Sequence, residues 1–461
     1  MDRFPQTAAT FQPTDLKLSE LIGSLSYALD ITEGQPPGHC LRCCWIGTHI
    51  GRRIGLPEAQ LWELYYTLLL KDLGCSSNAA RICELYLTDD LNFKQDYKKV
   101  GDSLPQVLGF VLKHTGLNAG LAERFRSVMT ILRDGREIAR DLVATRCQRG
   151  AEIAGLLRFP QGVSDGIYSL DEHWNGQGKP ARIAGEAIPV YSRIALLAQV
   201  IDVFNTASGR EAALREVRAR AGQWFDPGLV AAFEEVAQSD TFWTVLASEH
   251  IDTAVAELQP EGKAQHPLDD DYLDDIAAAF GQVVDAKSPY TSGHSERVAL
   301  YTDMIAEALG LDPQRRRWLK RGALLHDVGK LGVSNSVLDK AGALDRAEWD
   351  AVKLHAQFTE TILGRIAPFR ELAAIAGAHH ERLDGTGYPR GLGADDINIE
   401  TRIITTADIF DAITAERPYR GAIPIPQALE MMAKTVGSAL DPACFDALKR
   451  AVEKVPFPQA A

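Results

Sequence analysis

The chain has 461 residues, 46% of them apolar and 24% charged, with a formal net charge of −13. That length exceeds one ordinary core, and the balance is that of a soluble globular protein rather than a disordered or fibrous one, so two domains are expected. The acidic excess excludes a broad surface for nucleic-acid polymers or membranes, which need clustered Lys and Arg, but leaves room for a local basic pocket that takes a small anion.

In chain order, residues 1–17 read as a tail, and the opening MDRFPQTAATFQPTD has no apolar stretch of the kind that begins a secretion signal. Seven cysteines, an odd number, suggest reduced thiols. Cys43, Ile46, Ile50 and Ile54 share one helical stripe, so Cys40, Cys43 and Cys44 are expected to be small buried hydrophobes. The most apolar stretch, Ala187 to Phe204, is broken by Arg193, Gln199 and Asp202, which argues against a membrane span and for a cytoplasmic protein. Gln259-Pro-Glu-Gly-Lys-Ala-Gln-His-Pro267 is polar, with two prolines and a glycine, and reads as a linker. Beyond it, Val298, Tyr301, Ile305 and Leu309 form another helical stripe, and Phe225-Asp-Pro and Gly310-Leu-Asp-Pro mark helix boundaries. The expected fold class is all-α.

The two halves repeat one another. A shift of 255 residues places His39 on His294, Arg42 on Arg297 and Asp72 on Asp327; a shift of 209 places Arg146 on His355, Gly176 and Gly178 on Gly385 and Gly387, and Pro180 on Pro389. The expected organisation is a first copy over 18–258, a linker over 259–270 and a second copy over 271–456. The change of shift gives the first copy about 46 extra residues between Asp72 and Arg146, an insertion of helix and loop.

Chemistry concentrates in the second copy. His294, His326-Asp327, His355, His379-His380 and Asp408 include every histidine after residue 270, each among apolar helical residues. Imidazoles and carboxylates are the usual ligands of first-row transition ions, and one carboxylate can bridge two of them, a role expected of Asp327. Such a pair suits phosphodiester hydrolysis. Lys330, three residues after Asp327, falls on the same face and is a candidate to hold the scissile phosphate.

His326-Asp-Val-Gly-Lys330 and His379-His-Glu-Arg-Leu-Asp-Gly-Thr-Gly-Tyr388-Pro389 resemble the HD-GYP family of bacterial phosphodiesterases, over roughly residues 271 to 450. The resemblance implies two tandem HD-type helical domains and two divalent transition-metal ions, iron or manganese. One ion would be held by His294, His326, Asp327 and Asp408, the other by Asp327, His355, His379 and His380. Asp327 and Lys330 would be catalytic, with Lys330, Tyr388, Arg417 and Arg420 near the substrate. Tyr290 stands where some members have a glutamate for a third metal. The implied reaction is hydrolysis of cyclic di-GMP to the linear dinucleotide or to GMP. Alternatives are cyclic GMP-AMP, on which some relatives act, another nucleotide, or a silent nucleotide-binding adaptor.

At the same positions the first copy keeps only His39 and Asp72. Lys71, Arg146, Leu170-Asp171 and Gln199 replace the other ligands, and Cys75 replaces Lys330. Positive charge there opposes metal binding. The first copy is therefore expected to be structural or regulatory, a surface for a homodimer or a signalling partner, with Lys71 and Arg146 available to an anionic nucleotide.

Overall fold

A computed structural model describes residues 17–100, 104–117, 120–261, 267–416 and 421–453. Among them are helices and three isolated bridges but no strand, so the expected all-α, HD-type fold is observed. The helices used below are numbered in chain order. In the first half they are α1 (Leu18–Thr32), α2 (His39–Arg53), α3 (Glu58–Leu70), α4 (Asp90–Tyr97), α5 (Leu121–Leu156) and α6 (Val190–Ser208). The second half contributes α7 (Asp270–Asp285), α8 (His294–Ala308), α9 (Pro313–Leu325), α10 (Arg346–Gly364), α11 (Arg370–Gly377) and α12 (Ile399–Thr414). No described helix is long and apolar enough to cross a membrane.

The helix-start signals act as caps. Asp312 accepts from the backbone N–H of Gln314 and Arg315, both at 3.0 Å, with Pro313 in the first helical position of α9. Asp226 does the same before Pro227. α2 and α8 start differently. Each follows a glycine at positive φ, 85° at Gly38 and 66° at Gly293, where a side chain would be strained. A carboxylate from the helix before then caps the next one: Asp30 accepts from Gly38 N (2.7 Å) and Cys40 N (2.8 Å), and Asp285 from Ser295 N (3.1 Å) and Ser295 Oγ (2.7 Å).

The linker does not keep the halves apart. Residues 262–266 lie outside the described residues, but one apolar core runs from Leu21, Leu25, Leu69 and Ile194 of the first half into Phe280, Val283, Leu331 and Ile362 of the second. Exposing it would cost roughly 1.5–3 kcal/mol per large side chain, so the halves are held as one unit. Two smaller clusters lie outside it: Val298, Ile305, Ile404, Phe410 and Leu448 in the second half, and Tyr86, Phe93, Phe110 and Ile131 within the insertion. All seven cysteines are free; Cys40, Cys43 and Cys44 are buried, and burial pushes their thiols up.

Candidate metal centre

Five segments bring their donors to one point. His294 opens α8, His326 and Asp327 follow the last turn of α9, His355 lies on α10, His379 and His380 follow α11, and Asp408 lies on α12. After Asp327 the chain tightens into a 3-10 turn, Val328–Gly332, that carries Lys330. Gly329 permits this, because a Cβ there would collide with the His355 carbonyl oxygen. Thr359 locks the turn to α10: its hydroxyl donates to His326 O (2.9 Å) and accepts from Gly329 N (3.0 Å).

The imidazoles are oriented from behind. Nδ1 of His326, His355 and His379 lies 2.6, 2.5 and 2.6 Å from the carbonyl oxygens of Ala323, Val352 and Ala376. A carbonyl only accepts, so Nδ1 carries the proton and the Nε2 lone pair is left for the centre. His294 Nδ1 donates to Asp411 Oδ2 at 2.7 Å, and Asp411 also accepts from Arg297 Nε at 2.6 Å. His294 Nε2, His326 Nε2 and Asp327 Oδ1 are buried without a hydrogen-bond partner. Leaving such atoms bare costs about 1–3 kcal/mol each, and a divalent cation answers all three.

Asp327 divides the donors into two sets. Its Oδ2 lies 3.3 Å from both His294 Nε2 and His326 Nε2, which in turn lie 3.5 and 3.8 Å from Asp408 Oδ1. Its Oδ1 lies 3.5 Å from His355 Nε2 and 3.7 Å from His379 Nε2. His355, His379 and His380 themselves converge closely enough for one ion. The two sides differ electrostatically. Burial opposes charge on His326, but Asp327 and Asp408 outweigh it and raise the ring to about 10, whereas burial and the neighbouring His355 lower His380 to about 3.

Lys330 Nζ bonds Asp327 Oδ2, a contact the sequence did not disclose; the two share a face, as the three-residue spacing predicts, although the segment is a 3-10 turn rather than an α-helix. The Tyr388 ring is 4.7 Å from that of His380 and lines a cleft with Arg382, Thr386 and Ile409. Arg417 and Arg420 lie outside the described residues. Sequence reasoning missed Asp411 and Glu381, the latter buried and accepting from Arg390 N (2.7 Å) and Leu392 N (2.9 Å) to shape the loop after Tyr388. The signal was present: Asp202 and Glu172 occupy the same places in the first half.

There the frame is kept and the centre is not. His39 Nδ1 lies 2.6 Å from Asp202, which also accepts from Arg42 Nε at 2.6 Å. Inside this frame the Lys71 ammonium lies 3.1 Å from His39 Nε2 and 3.2 Å from Gln199 Oε1 and bonds Asp72. Burial opposes its charge, but Asp72 outweighs burial and holds the ammonium well above the usual lysine range. Arg146 pairs with Asp171. These cations are neutralised from within, so the expectation that they await an anionic nucleotide is corrected: Lys71 is fully buried. His39, Cys43 and Asp202 also cluster, yet Asp202 and Lys71 already occupy both nitrogens of His39.

Two segments, residues 134–229 and 279–444, match the HD domain family. The chain is 58% identical over 439 residues, 95% of either chain, to 3'3'-cGAMP-specific phosphodiesterase 3 of Vibrio cholerae. It is also similar to a crystal structure of a cyclic GMP-AMP-specific phosphodiesterase of V. cholerae, with a TM-score of 0.65 and 52% identity over 95% of this chain and 98% of that one. A cyclic di-GMP phosphodiesterase response regulator of Xanthomonas campestris is 38% identical over 173 residues, 37% of this chain and 46% of that protein.

Proposed function

The chain belongs to the HD-GYP family of metal-dependent phosphodiesterases, and on that premise we propose that it hydrolyses 3'3'-cGAMP. The expectation of cyclic di-GMP gives way. The observation that carries the proposal is identity along the whole chain to a protein specific for 3'3'-cGAMP, whereas the cyclic di-GMP relative from X. campestris aligns over little more than a third of it.

The seven donors fit two divalent transition ions; histidine and carboxylate alone suit iron, manganese, cobalt or zinc, and it is the family resemblance that points to iron or manganese. When bound, such ions supply Lewis acidity for in-line attack of water on phosphorus. Asp327 holds the two donor sets in register, and Asp411 keeps His294 in the tautomer that presents Nε2. Lys330 reaches a nonbridging phosphoryl oxygen, exchanging part of its bond to Asp327 for the substrate's charge. Tyr388 offers a flat face to a base at the mouth of the cleft. The first half, with Lys71 and Arg146 in place of ligands, is a noncatalytic support.

The test incubates protein purified without oxygen, its metal content measured, with 3'3'-cGAMP and with cyclic di-GMP, and identifies products by chromatography. We expect kcat/KM for 3'3'-cGAMP to be higher by about 10-fold or more, a difference of roughly 1.4 kcal/mol in transition-state binding. Equal or reversed preference sinks the substrate assignment. If both are left intact, as by His326→Ala, the enzymatic proposal itself is wrong.

A further inference from the structure

The insertion, which has no counterpart in the second half, reaches the turn that carries Lys330. Asp90, the first residue of α4, is fully buried at the boundary between the halves. Its Oδ1 accepts from Ser334 Oγ (3.0 Å) and Asn335 N (2.9 Å), immediately after the Val328–Gly332 turn. Asp90 Oδ2 lies 3.7 Å from Lys94 Nζ and 3.8 Å from Lys287 Nζ. Lys94 anchors this carboxylate to the first half, donating to the carbonyls of Thr32 (3.1 Å) and Cys75 (3.0 Å). Lys287, just beyond α7, donates to Leu331 O at 3.0 Å, within the turn itself. Asn335 Nδ2 closes the ring on Lys287 O at 2.6 Å. Beside it, a Cβ at Gly332 would press into Ile31 of α1.

The turn is thus gripped at Leu331 and at Ser334–Asn335, on either side of a contact with the first half, and Lys330 and Asp327 are the residues it presents. A buried carboxylate between two lysines that accepts from Ser334, Asn335 and the Cys83 thiol has one low-energy arrangement, because any displacement strands charge away from water. We propose that Asp90 is a positioning residue for the catalytic turn: the insertion of the first half sets the place of the Lys330 ammonium and thereby completes the active domain.

This rests on the assignment of Lys330 to the phosphate, and the test separates the two. Asp90→Ala and Asp90→Asn are each made in the wild-type and Lys330→Ala backgrounds, with kcat, KM and metal content measured. In the wild-type background Asp90→Ala is expected to lower kcat by roughly 10- to 100-fold with bound metal unchanged, the scale of a small misplacement. Asp90→Asn keeps an acceptor for Ser334 and Asn335 and is expected to recover most of the loss. In the Lys330→Ala background the further loss should be under about 2-fold, since the residue being positioned is gone. An equal loss in both backgrounds marks a general structural defect and overturns the proposal, as does full activity of Asp90→Ala. Arg81→Ala, which breaks an exposed pair with Glu84 on the same insertion, should behave as wild type. Hydrogen exchange at residues 328–333 reads the clasp without turnover: faster exchange in Asp90→Ala and near-normal exchange in Asp90→Asn support it, and no change in either rejects it even if the protein cleaves neither nucleotide. If Asp90→Ala does not fold, Ser334→Ala removes one of the two hydrogen bonds that Asp90 accepts from the segment after the turn and is read the same way.

Discussion

Around Asp327 the second half gathers lone pairs; around Asp72, on the same scaffold, the first half gathers cations. Both keep an outer frame of histidine, aspartate and arginine, with His294 Nδ1 2.7 Å from Asp411 and His39 Nδ1 2.6 Å from Asp202. The frame is therefore kept where the inner donors are not. It pins the start of one helix to a later turn of another, and the candidate ligand atoms belong to the inner residues. Lys71 carries the lesson furthest: its ammonium meets His39, Asp72 and Gln199, the positions of His294, Asp327 and Asp408. A side-chain cation can thus satisfy a buried cluster of donors that elsewhere asks for an ion, at the cost of the open coordination that chemistry needs.

The largest effect that would break this contrast comes from Asp327, the carboxylate both donor sets share. Asp327→Ala should lower turnover by about 1,000-fold or more, since activation of water and stabilisation of phosphoryl charge are lost together. Element analysis should find well below two ions per chain. Retention of both ions would mean that Asp327 does not join the two sets.

Lys71→Ala tests the other side. It leaves Asp72 buried without its partner, for which a penalty of about 3–5 kcal/mol is expected in urea denaturation. The apolar core is continuous across the halves, so unfolding should stay cooperative and the loss should register in the whole chain rather than in a separate early transition. Two resolved transitions in the wild type would contradict that coupling.

The all-α class and the gathering of the seven candidate donors were legible in the sequence because both leave periodic or compositional marks: stripes such as Val298, Tyr301, Ile305 and Leu309, and histidines sorted into one half. That Lys330 shares a face with Asp327 followed from spacing, within the error of taking a 3-10 turn for an α-helix. Asp411 was not legible by itself, since a lone aspartate on a helix has no signature and its partner His294 lies 117 residues away. Asp90 was hidden for the same reason, its partners lying across the chain at Ser334 and Asn335. Nor could a linker of polar residues disclose that Leu21 and Phe280 belong to one core, because apolar character says that a residue is buried but not against what. Substrate choice was least legible: the motifs left both cyclic di-GMP and cyclic GMP-AMP open, and whole-chain likeness is what moved the proposed substrate from the first to 3'3'-cGAMP.

Asp411→Asn and Asp202→Asn make the next comparison. An amide in place of Asp411 is a weaker acceptor for His294 Nδ1 and can turn its own N–H toward the ring, so metal affinity and turnover should fall by about 10- to 100-fold. The matching change at Asp202 weakens only the pin between α2 and α6, and turnover should change by less than about 2-fold. If Asp202→Asn is as damaging to turnover as Asp411→Asn, the frame acts through overall stability and not through the tautomer of His294.

The smallest expected effect on activity belongs to the change that most directly reverses the contrast. Lys71→His with Gln199→Asp restores the residue types of His326 and Asp408 in a site where His39 and Asp72 are already in place and His39 is already oriented by Asp202. Four donors of this kind are enough for one transition ion. Protein produced in iron- or manganese-supplemented medium should carry one more ion per chain than the wild type, while turnover, which depends on the other half, should stay within about 2-fold. The ion should also have a thermodynamic signature: chelation should lower the melting temperature of the double variant more than that of the wild type, because the repaired first half would then hold Asp72 buried beside a neutral imidazole instead of an ammonium. An unchanged metal content would show that Lys71 and Gln199 are not what keeps ions out, and would shift attention to Arg146, which pairs with Asp171 at the second-ion position.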